Sequence, residues 1–323
     1  MLEVLKSARN LAETYAKIKP GERVLVLTDD EACPMELGRA LMDVASSIGA
    51  EVALTTMKAK EMPGYEPPRA VAAAMKSVNT VFMIFGGVGI EHTDARKEAT
   101  AAGVRIYCMA EVPHDRFQRQ VAGADLELIK ERTERLAQKL TLARHARITT
   151  PSGTDLSLGL DGRKGLGIHP LWGEGLGTIP DYAEAAIAPV EGTAEGTMVI
   201  DIWVSGWGYT LKEPIRCVVR SGRVIEVNGD EDAERYRRLV ATDENASNIA
   251  ELGIGTSHTI ERKYLTTRIG GGTMGYVHLA IGRNNDIGGQ TWSKVHVDGL
   301  LNRPTLMLDE EMVLKDGILA PGK

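Results

Sequence analysis

The sequence predicts two domains of different class: an α/β domain with an open parallel sheet over residues 1–146, and a strand-rich α+β metal-binding domain over residues 147–323. Strand and helix patterns alternate in the first half, which is typical of a parallel sheet covered by helices. Strand patterns dominate the second half, where glycines crowd between Gly153 and Gly299 and indicate many turns. A chain of 323 residues is long enough for two domains of about 150 residues that each bury a core.

The first half predicts four strands and four helices. Short apolar runs, which are typical of buried strands, lie at residues 23–28, 51–56, 80–85 and 104–109. Helical spacing of apolar residues predicts helices at residues 35–48, 67–76 and 93–102, followed by a long charged helix at 125–145. Ligands of a parallel sheet bind beyond the carboxyl ends of its strands, which here lead into Asp29, Gly86 and Ala110.

The second half predicts a hairpin, three further strand segments and one clear helix. The hairpin covers residues 147–158 and turns at Pro151. The other strands lie at residues 197–204, 216–219 and 223–227, and the helix lies at 231–241. Many strands with few helices indicate an α+β or mainly β domain.

Composition and charge argue against several classes of protein. The 38 Lys and Arg against 44 Asp and Glu give a net charge of −6, which argues against the basic surface that nucleic acid binding needs. The longest apolar run, residues 81–90, is far shorter than the roughly 20 residues of a membrane span. Residues 1–24 have the pattern of an amphipathic helix and not of a signal peptide, so we expect a cytoplasmic protein. Three distant cysteines without a CxxC motif form neither a disulfide framework nor a zinc site.

The pair His296 and Asp298 is the sharpest local signal for chemistry. The two residues alternate with Val295 and Val297 in the string KVHVDG. On a strand, residues two apart project from the same face, so the imidazole and the carboxylate form a compact pair of metal ligands while the valines face the core. The alternative is a histidine that is hydrogen-bonded to a neighbouring aspartate at the end of a strand.

Three further side chains complete a candidate ligand set without cysteine. His278 lies in the apolar string GYVHLAIG, where it is either a ligand or a core histidine. Glu251 and Glu184 also lie among apolar residues, where a carboxylate is costly unless it is paired, metal-bound or on a solvated face. Histidine with carboxylates suits Zn²⁺, Mn²⁺, Fe²⁺ or Co²⁺ and disfavours a purely structural zinc site.

One more histidine lies in the first domain. His92 follows the third predicted strand, at a sheet end where sites form, and Thr93 after it has the place of a helix N-cap. The glycine-rich segments at residues 86–89 and 173–177 lack either the spacing or the strand–helix context of a dinucleotide-binding loop, and the sequence contains no GxSxG or Walker motif, so nucleotide binding is disfavoured.

The ordered succession of several segments resembles the M29-type aminopeptidase superfamily, which includes the 2,5-dihydroxypyridine 5,6-dioxygenases. The resemblance covers most of the chain. It is carried by the strings HTDARKEATAAGVRIYCM, TTPSGTDLSLGLDGR, EAAIAPVEGTAEGT, ELGIGT, HLAIGRNNDIGG and HVDG.

Resemblance to the leucyl-aminopeptidase-like members implies a metal-dependent hydrolase that cleaves an aminoacyl or amide bond, our first expectation. Such enzymes hold two divalent metals, here Zn²⁺, Mn²⁺ or Co²⁺, and take a short peptide or small molecule as substrate. The positions that match their ligands are Glu184, Glu251, His278, His296 and Asp298. The family's tyrosine is absent, and Asn285 stands about where it is expected. His92 or Glu174 is the expected proton carrier, and a homo-oligomer is expected by analogy.

Resemblance to the dioxygenases implies the alternative, a ring-cleaving enzyme with one Fe²⁺ held by two histidines and one aspartate. His296 and Asp298 match two of these ligands, and the first histidine falls near Glu251. The third ligand is therefore His278, or Glu251 in place of a histidine. His92 resembles the histidine that lies beside the substrate and would take a proton from a ring hydroxyl. A third possibility is a small-molecule binder that has lost its metal.

Overall fold

The structure, a computed structural model, describes residues 2–59, 65–87, 89–110, 125–171, 176–178 and 182–320. These residues fall into two compact units, one drawn from residues 1–127 and 168–182 and the other from 128–167 and 183–323. The chain therefore passes between the units three times, whereas the sequence predicted one boundary at residue 146. The reason is a short strand after residue 168 that returns to the first unit's sheet.

The described strands and helices have the following bounds. The strands are β1 (Arg23–Asp29), β2 (Glu51–Met57), β3 (Thr80–Phe85), β4 (Arg105–Ala110), β5 (His145–Thr149), β6 (Asp155–Gly159), β7 (Leu166–Ile168), β8 (Leu176–Thr178), β9 (Glu184–Ile187), β10 (Glu195–Ile200), β11 (Trp203–Val204), β12 (Ile215–Arg220), β13 (Arg223–Asn228), β14 (Ile249–Gly255), β15 (Val277–Gly282), β16 (His296–Leu301), β17 (Thr305–Leu308), β18 (Glu311–Lys315) and β19 (Ile318–Leu319). The α-helices are α1 (Leu2–Arg9), α2 (Ala32–Ile48), α3 (Arg69–Lys76), α4 (Asp94–Ala101), α5 (Leu126–Leu142) and α6 (Glu231–Val240). A π-helix (Asn10–Tyr15) continues α1, and two 3-10 helices follow β14 (Arg262–Tyr264 and Arg268–Gly272).

The first unit is an α/β domain with a five-stranded parallel sheet in the order β2-β1-β3-β4-β8. All six residues of β3 are buried, because this strand lies in the middle of the sheet. The predicted parallel sheet is confirmed. Strand β8 was not predicted, because its three residues, Leu-Gly-Thr, are too short to form a pattern.

The second unit contains two sheets, and the strand-rich prediction is confirmed. One sheet has eight strands in the order β13-β12-β10-β6-β5-β17-β18-β19, and each neighbouring pair of strands is antiparallel. The other has six strands in the order β11-β16-β15-β14-β9-β7. The two sheets contact each other where Ile200 of β10 packs on Gly299 of β16, since a Cβ at Gly299 would lie 2.5 Å from the Ile200 side chain.

Strands β14 and β15 of the six-stranded sheet are buried along their whole length. Burial on both faces explains why the strings ELGIG and HLAIG contain few polar or charged residues. It also makes any charged side chain in these strands costly unless that side chain is paired. Among the described residues, no helix combines the length and apolarity that crossing a membrane requires.

Candidate metal centre

Four neighbouring strands of the six-stranded sheet carry the five predicted ligands. Glu184 begins β9, Glu251 lies in β14, His278 lies in β15, and His296 and Asp298 lie in β16. In the antiparallel register Gly255 lies opposite Glu184, Gly253 opposite His278, and Ala280 opposite both Glu251 and Asp298. Residues opposite each other, and residues two apart on one strand, share a face. All five ligands therefore project from one face of this sheet.

Small residues lie between the candidate ligands on this face and leave room for them. The positions between the ligands are Ala186, Gly253, Gly255, Ala280 and Gly282. At Gly253 a Cβ would lie 2.0 Å from Nε2 of His278, so any other residue there would force the imidazole to move. The imidazole of His278 thus rests directly on the backbone of β14.

The first group of ligand atoms surrounds His296. Its Nε2 lies 3.0 Å from Oε2 of Glu251 and 3.3 Å from Oδ1 of Asp298. The ligand atoms of these three residues all lie within 4.8 Å of one another. Their spacing and chemistry fit a divalent cation that accepts nitrogen and oxygen ligands.

The second group surrounds His278 and shares a member with the first. Nε2 of His278 lies 3.2 Å from Oε2 of Glu184 and 3.7 Å from Oε1 of Glu251. These three residues also have ligand atoms within 4.8 Å of one another. Glu251 therefore turns one carboxylate oxygen toward each histidine, which is the arrangement of a bridging ligand.

The cluster is buried, and its charged side chains shift one another's pKa. Burial by itself raises the pKa of Glu251, but hydrogen bonds from the imidazoles of His278 and His296 lower it to about 2. Burial by itself lowers the pKa of both histidines, but the carboxylates of Glu184 and Glu251 hold that of His278 well above its usual value. Asp298 and Glu251 do the same for His296. The metal-free cluster therefore balances buried carboxylates with protonated imidazoles.

A backbone carbonyl orients His296. Its Nδ1 lies 2.7 Å from the carbonyl oxygen of Arg283. A carbonyl oxygen only accepts hydrogen bonds, so Nδ1 carries the proton and Nε2 is the atom left for a metal. The sequence analysis did not identify this carbonyl, because a backbone acceptor leaves no trace in the residue pattern.

The other predicted site residues lie elsewhere. His92 is buried in the loop between β3 and α4, and Thr93 after it is the N-cap of α4, where its side chain accepts a hydrogen bond from Arg96 N. Glu174 lies outside the described residues. The side chain of Asn285, at the position of the expected tyrosine, accepts a hydrogen bond of 2.8 Å from Nε of Arg283. The roles of all these residues stay predictions.

Comparison with known proteins places this fold among related enzymes. A family model described as NicX, 2,5-dihydroxypyridine 5,6-dioxygenase, matches residues 9–321. The comparison with curated protein sequences found no match. The solved 2,5-dihydroxypyridine dioxygenase from Pseudomonas putida KT2440 is similar with a TM-score of 0.82 at 18% identity, over 99% of this chain and 97% of that chain. Wild-type AmpT from Thermus thermophilus is similar with a TM-score of 0.67 at 15% identity, over 99% of both chains. At these identities the two structures show that the fold is shared.

Proposed function

The chain belongs to the 2,5-dihydroxypyridine 5,6-dioxygenase family, and from this premise we propose that it is an Fe²⁺-dependent enzyme that opens the ring of a hydroxylated pyridine with O₂. The observation that carries the proposal is the group of Glu251, His296 and Asp298, whose ligand atoms converge within 4.8 Å. The sequence favoured the hydrolase and kept the dioxygenase as its alternative, and the family match supports that alternative better.

Glu251 on β14 and His296 and Asp298 on β16 would hold the iron across the intervening strand β15. This set differs from the usual two histidines and one carboxylate, because Glu251 takes the place of one histidine. Of the two ligand sets that the sequence left open, the one with Glu251 has the support of a compact cluster. Iron(II) in such a site supplies the electron transfer that lets O₂ react with an aromatic ring.

The protein's own residues would deprotonate the substrate and exclude bulk water from the metal ligands. His92, buried in the loop that follows β3, is the proposed base that takes a proton from a ring hydroxyl. Four of the five cluster residues are buried, while Asp298 keeps 13% of its side chain exposed. Bulk water is therefore held away from His296 and Glu251, and access to the cluster is expected on the side of Asp298.

A second candidate function, hydrolysis of an aminoacyl or amide bond, is favoured by one specific observation. Glu184, Glu251 and His278 form a second compact group that shares Glu251 with the first. Two metals clamped by a shared carboxylate activate water and polarise a carbonyl. The side chain of Asn285, in the place of the expected tyrosine, is engaged by Arg283, which weakens this candidate.

Metal content and O₂ consumption distinguish the two candidates. The chain is purified without added metal, analysed for metal, and reconstituted with Fe²⁺ under reducing conditions. We expect about one iron per chain and O₂ uptake that depends on 2,5-dihydroxypyridine. His296→Ala should abolish the uptake while leaving folding nearly intact, and His92→Gln should lower it at an unchanged iron content.

His145→Ala is the matched control, because this histidine is exposed on β5 of the eight-stranded sheet. It should leave both iron content and O₂ uptake unchanged. Two zinc, cobalt or manganese ions per chain, cleavage of an amide substrate and no O₂ uptake would reject the dioxygenase in favour of the hydrolase. The predicted homo-oligomer and cytoplasmic location remain proposals.

A further inference from the structure

We propose that Asn284 and Glu191 are positioning residues for the metal centre: they fix the Arg283 carbonyl that orients the His296 imidazole. This inference rests on the proposed metal centre and does not depend on which of the two reactions the centre performs.

The orientation of His296 depends on the place of one carbonyl oxygen. Nδ1 donates to Arg283 O at 2.7 Å, which directs Nε2 toward the carboxylates of Glu251 and Asp298. A histidine ligand binds a metal well only when its other ring nitrogen is held by such a partner. A shift of the carbonyl would rotate the ring or release its proton.

Arg283 begins the loop 283–295 between β15 and β16, and this loop is folded around the next residue, Asn284. The backbone N–H of Asn284 donates to Thr291 O at 3.0 Å, and its side-chain Oδ1 accepts from Thr291 N at 2.8 Å. Gly289 packs so closely on the amide that a Cβ there would lie 2.1 Å from Cγ of Asn284. The Asn284 side chain is fully buried, so it acts as the internal support of the loop.

Glu191 anchors this support from outside the loop. Its Oε1 accepts from Asn284 Nδ2 at 2.9 Å and from Gln290 N at 2.7 Å. Its Oε2 forms an ion pair with Arg163, whose guanidinium also donates to Gly288 O at 2.7 Å. Burial by itself raises the pKa of Glu191, but these hydrogen bonds and the charge of Arg163 lower it, so the carboxylate is ionised at neutral pH.

We call Arg163, Glu191 and Asn284 the loop clamp. None of the three is a predicted metal ligand, yet Asn284 is adjacent to the residue whose carbonyl holds His296. Glu191 follows β9, the strand that begins with the ligand Glu184. The clamp therefore joins segments that carry ligands of both groups. A purely structural clamp would change the stability of the chain but not its affinity for metal.

Asn284→Ala tests the proposal through Co²⁺ binding. The full chain, freed of metal with a chelator, is titrated with Co²⁺ while its visible spectrum is recorded, and its thermal unfolding is measured separately. We expect the affinity for Co²⁺ to fall about 10–100-fold, as for the loss of a partner that orients a ligand, and the spectrum to change.

Thr154→Ala is the matched control. Thr154 is also buried and hydrogen-bonded in both directions, because its Oγ1 donates to Val199 O and accepts from Val199 N in the eight-stranded sheet. It should lower the unfolding temperature but leave the Co²⁺ affinity and spectrum unchanged. If Asn284→Ala behaves like this control, the positioning role is overturned.

A second pair of variants keeps the test valid if Asn284→Ala does not fold. Asn284→Asp keeps the oxygen that accepts from Thr291 N, but it replaces the donor to Glu191 with a second carboxylate, and the two carboxylates repel each other. Adding Glu191→Gln removes this repulsion, because the amide nitrogen can donate to the new carboxylate while the amide oxygen still accepts from Arg163, and only the contact with Gln290 N is lost. We expect the double variant to bind Co²⁺ more tightly than Asn284→Asp alone, and equal or weaker binding would overturn the proposal.

Failure of the proposed function is distinguishable from failure of this inference. A wild-type chain that binds Co²⁺ but consumes no O₂ with a hydroxypyridine rejects only the dioxygenase. A wild-type chain that binds no Co²⁺ rejects the metal centre and the positioning role together.

Discussion

The two histidines of the metal centre occupy similar electrostatic surroundings but are held in place differently. Each lies between two carboxylates, and both share Glu251. Nδ1 of His296 donates to the carbonyl of Arg283, whereas Nδ1 of His278 is buried without a hydrogen-bond partner among the described residues. The ring of His278 instead lies against Gly253, where a Cβ would come within 2.0 Å of its Nε2.

The imidazole of His296 is therefore oriented by a hydrogen bond, whereas the imidazole of His278 is oriented by van der Waals contact. The hydrogen bond at His296 fixes both the angle of the ring and the nitrogen that carries the proton. The contact at Gly253 limits where the ring of His278 can lie but leaves its tautomer undetermined. The group around His296 is therefore the better preorganised of the two for binding a metal. This favours a single tightly held metal in that group.

The largest effect is expected from Glu251→Gln, which removes the carboxylate common to both groups. We expect Co²⁺ binding to be lost in both, because each histidine loses a ligand partner. The pKa of both imidazoles should fall toward the usual value, since Glu251 raises both. A Co²⁺ titration and an NMR pH titration of the imidazole protons measure the two effects.

Glu226→Gln, which alters an exposed carboxylate on β13, is the control and should change neither quantity. Tight Co²⁺ binding that survives Glu251→Gln would mean that one group is complete without the shared carboxylate.

The second prediction compares His296→Ala with His278→Ala. Loss of His296 should abolish activity of the reconstituted chain, because it removes the ligand that the Arg283 carbonyl prepares. Loss of His278 should reduce activity by only about 10–100-fold, the size of an effect transmitted through another ligand. Turnover and metal content are measured on both variants. Equal and complete loss in both would indicate that two metals are needed, which supports the hydrolase.

The third prediction concerns pH. The pKa of His278 and of His296 is raised in the metal-free chain, so a metal must displace a proton from each histidine that it binds. Affinity for Co²⁺ should rise about tenfold per pH unit for each proton displaced, until the pH passes the raised pKa. Glu251, with a pKa of about 2, is ionised throughout this range and contributes no proton.

The stability of the metal-free chain should change in the opposite direction. A histidine with a raised pKa stabilises the fold fully below its unfolded value, about 6.5, and this contribution is lost as the pH rises through the folded value. Isothermal titration in two buffers with different heats of ionisation counts the protons, and urea unfolding follows the stability. One proton released per bound ion is expected if only His296 is a ligand. A proton count of zero would contradict the protonated state of both histidines.

The sequence singled out the five candidate ligands because their chemistry conflicts with their surroundings, and their role as metal ligands stays a prediction. Glu251 and His278 stand in apolar strands, and alternation alone puts His296 and Asp298 on one face. The four longer parallel strands were also predictable, because each contains a short apolar stretch bounded by polar or turn-forming residues.

Other features depend on pairings between distant segments and could not be predicted. The position of Glu184 beside Gly255 follows from the pairing of β9 with β14, which local pattern does not determine. Strand β8 was missed because three residues are too short to form a pattern, and the Arg283 carbonyl was missed because a backbone acceptor leaves no trace in the sequence. The sequence did contain one clue to the packing. Gly253 and Gly255 follow Glu251 at intervals of two residues, so they lie on the same face of the strand and leave space there for side chains from neighbouring strands.

The smallest effect is expected from Gly253→Ala, which tests orientation by contact. The new Cβ would lie 2.0 Å from Nε2 and 2.2 Å from Cε1 of His278, so the ring must move. We expect a loss of about 1–3 kcal/mol in the free energy of unfolding of the metal-free chain, as for overpacking of a core. The group around His296 does not use this contact, so its affinity for Co²⁺ should change less than about tenfold, or 1.4 kcal/mol.

The control is a His278→Ala background, in which the ring is absent. Gly253→Ala should then lower the free energy of unfolding much less, and a double-mutant cycle by urea unfolding measures the difference. An equal cost in both backgrounds would assign the strain to the backbone of β14, and the two histidines would then not differ in the way they are held.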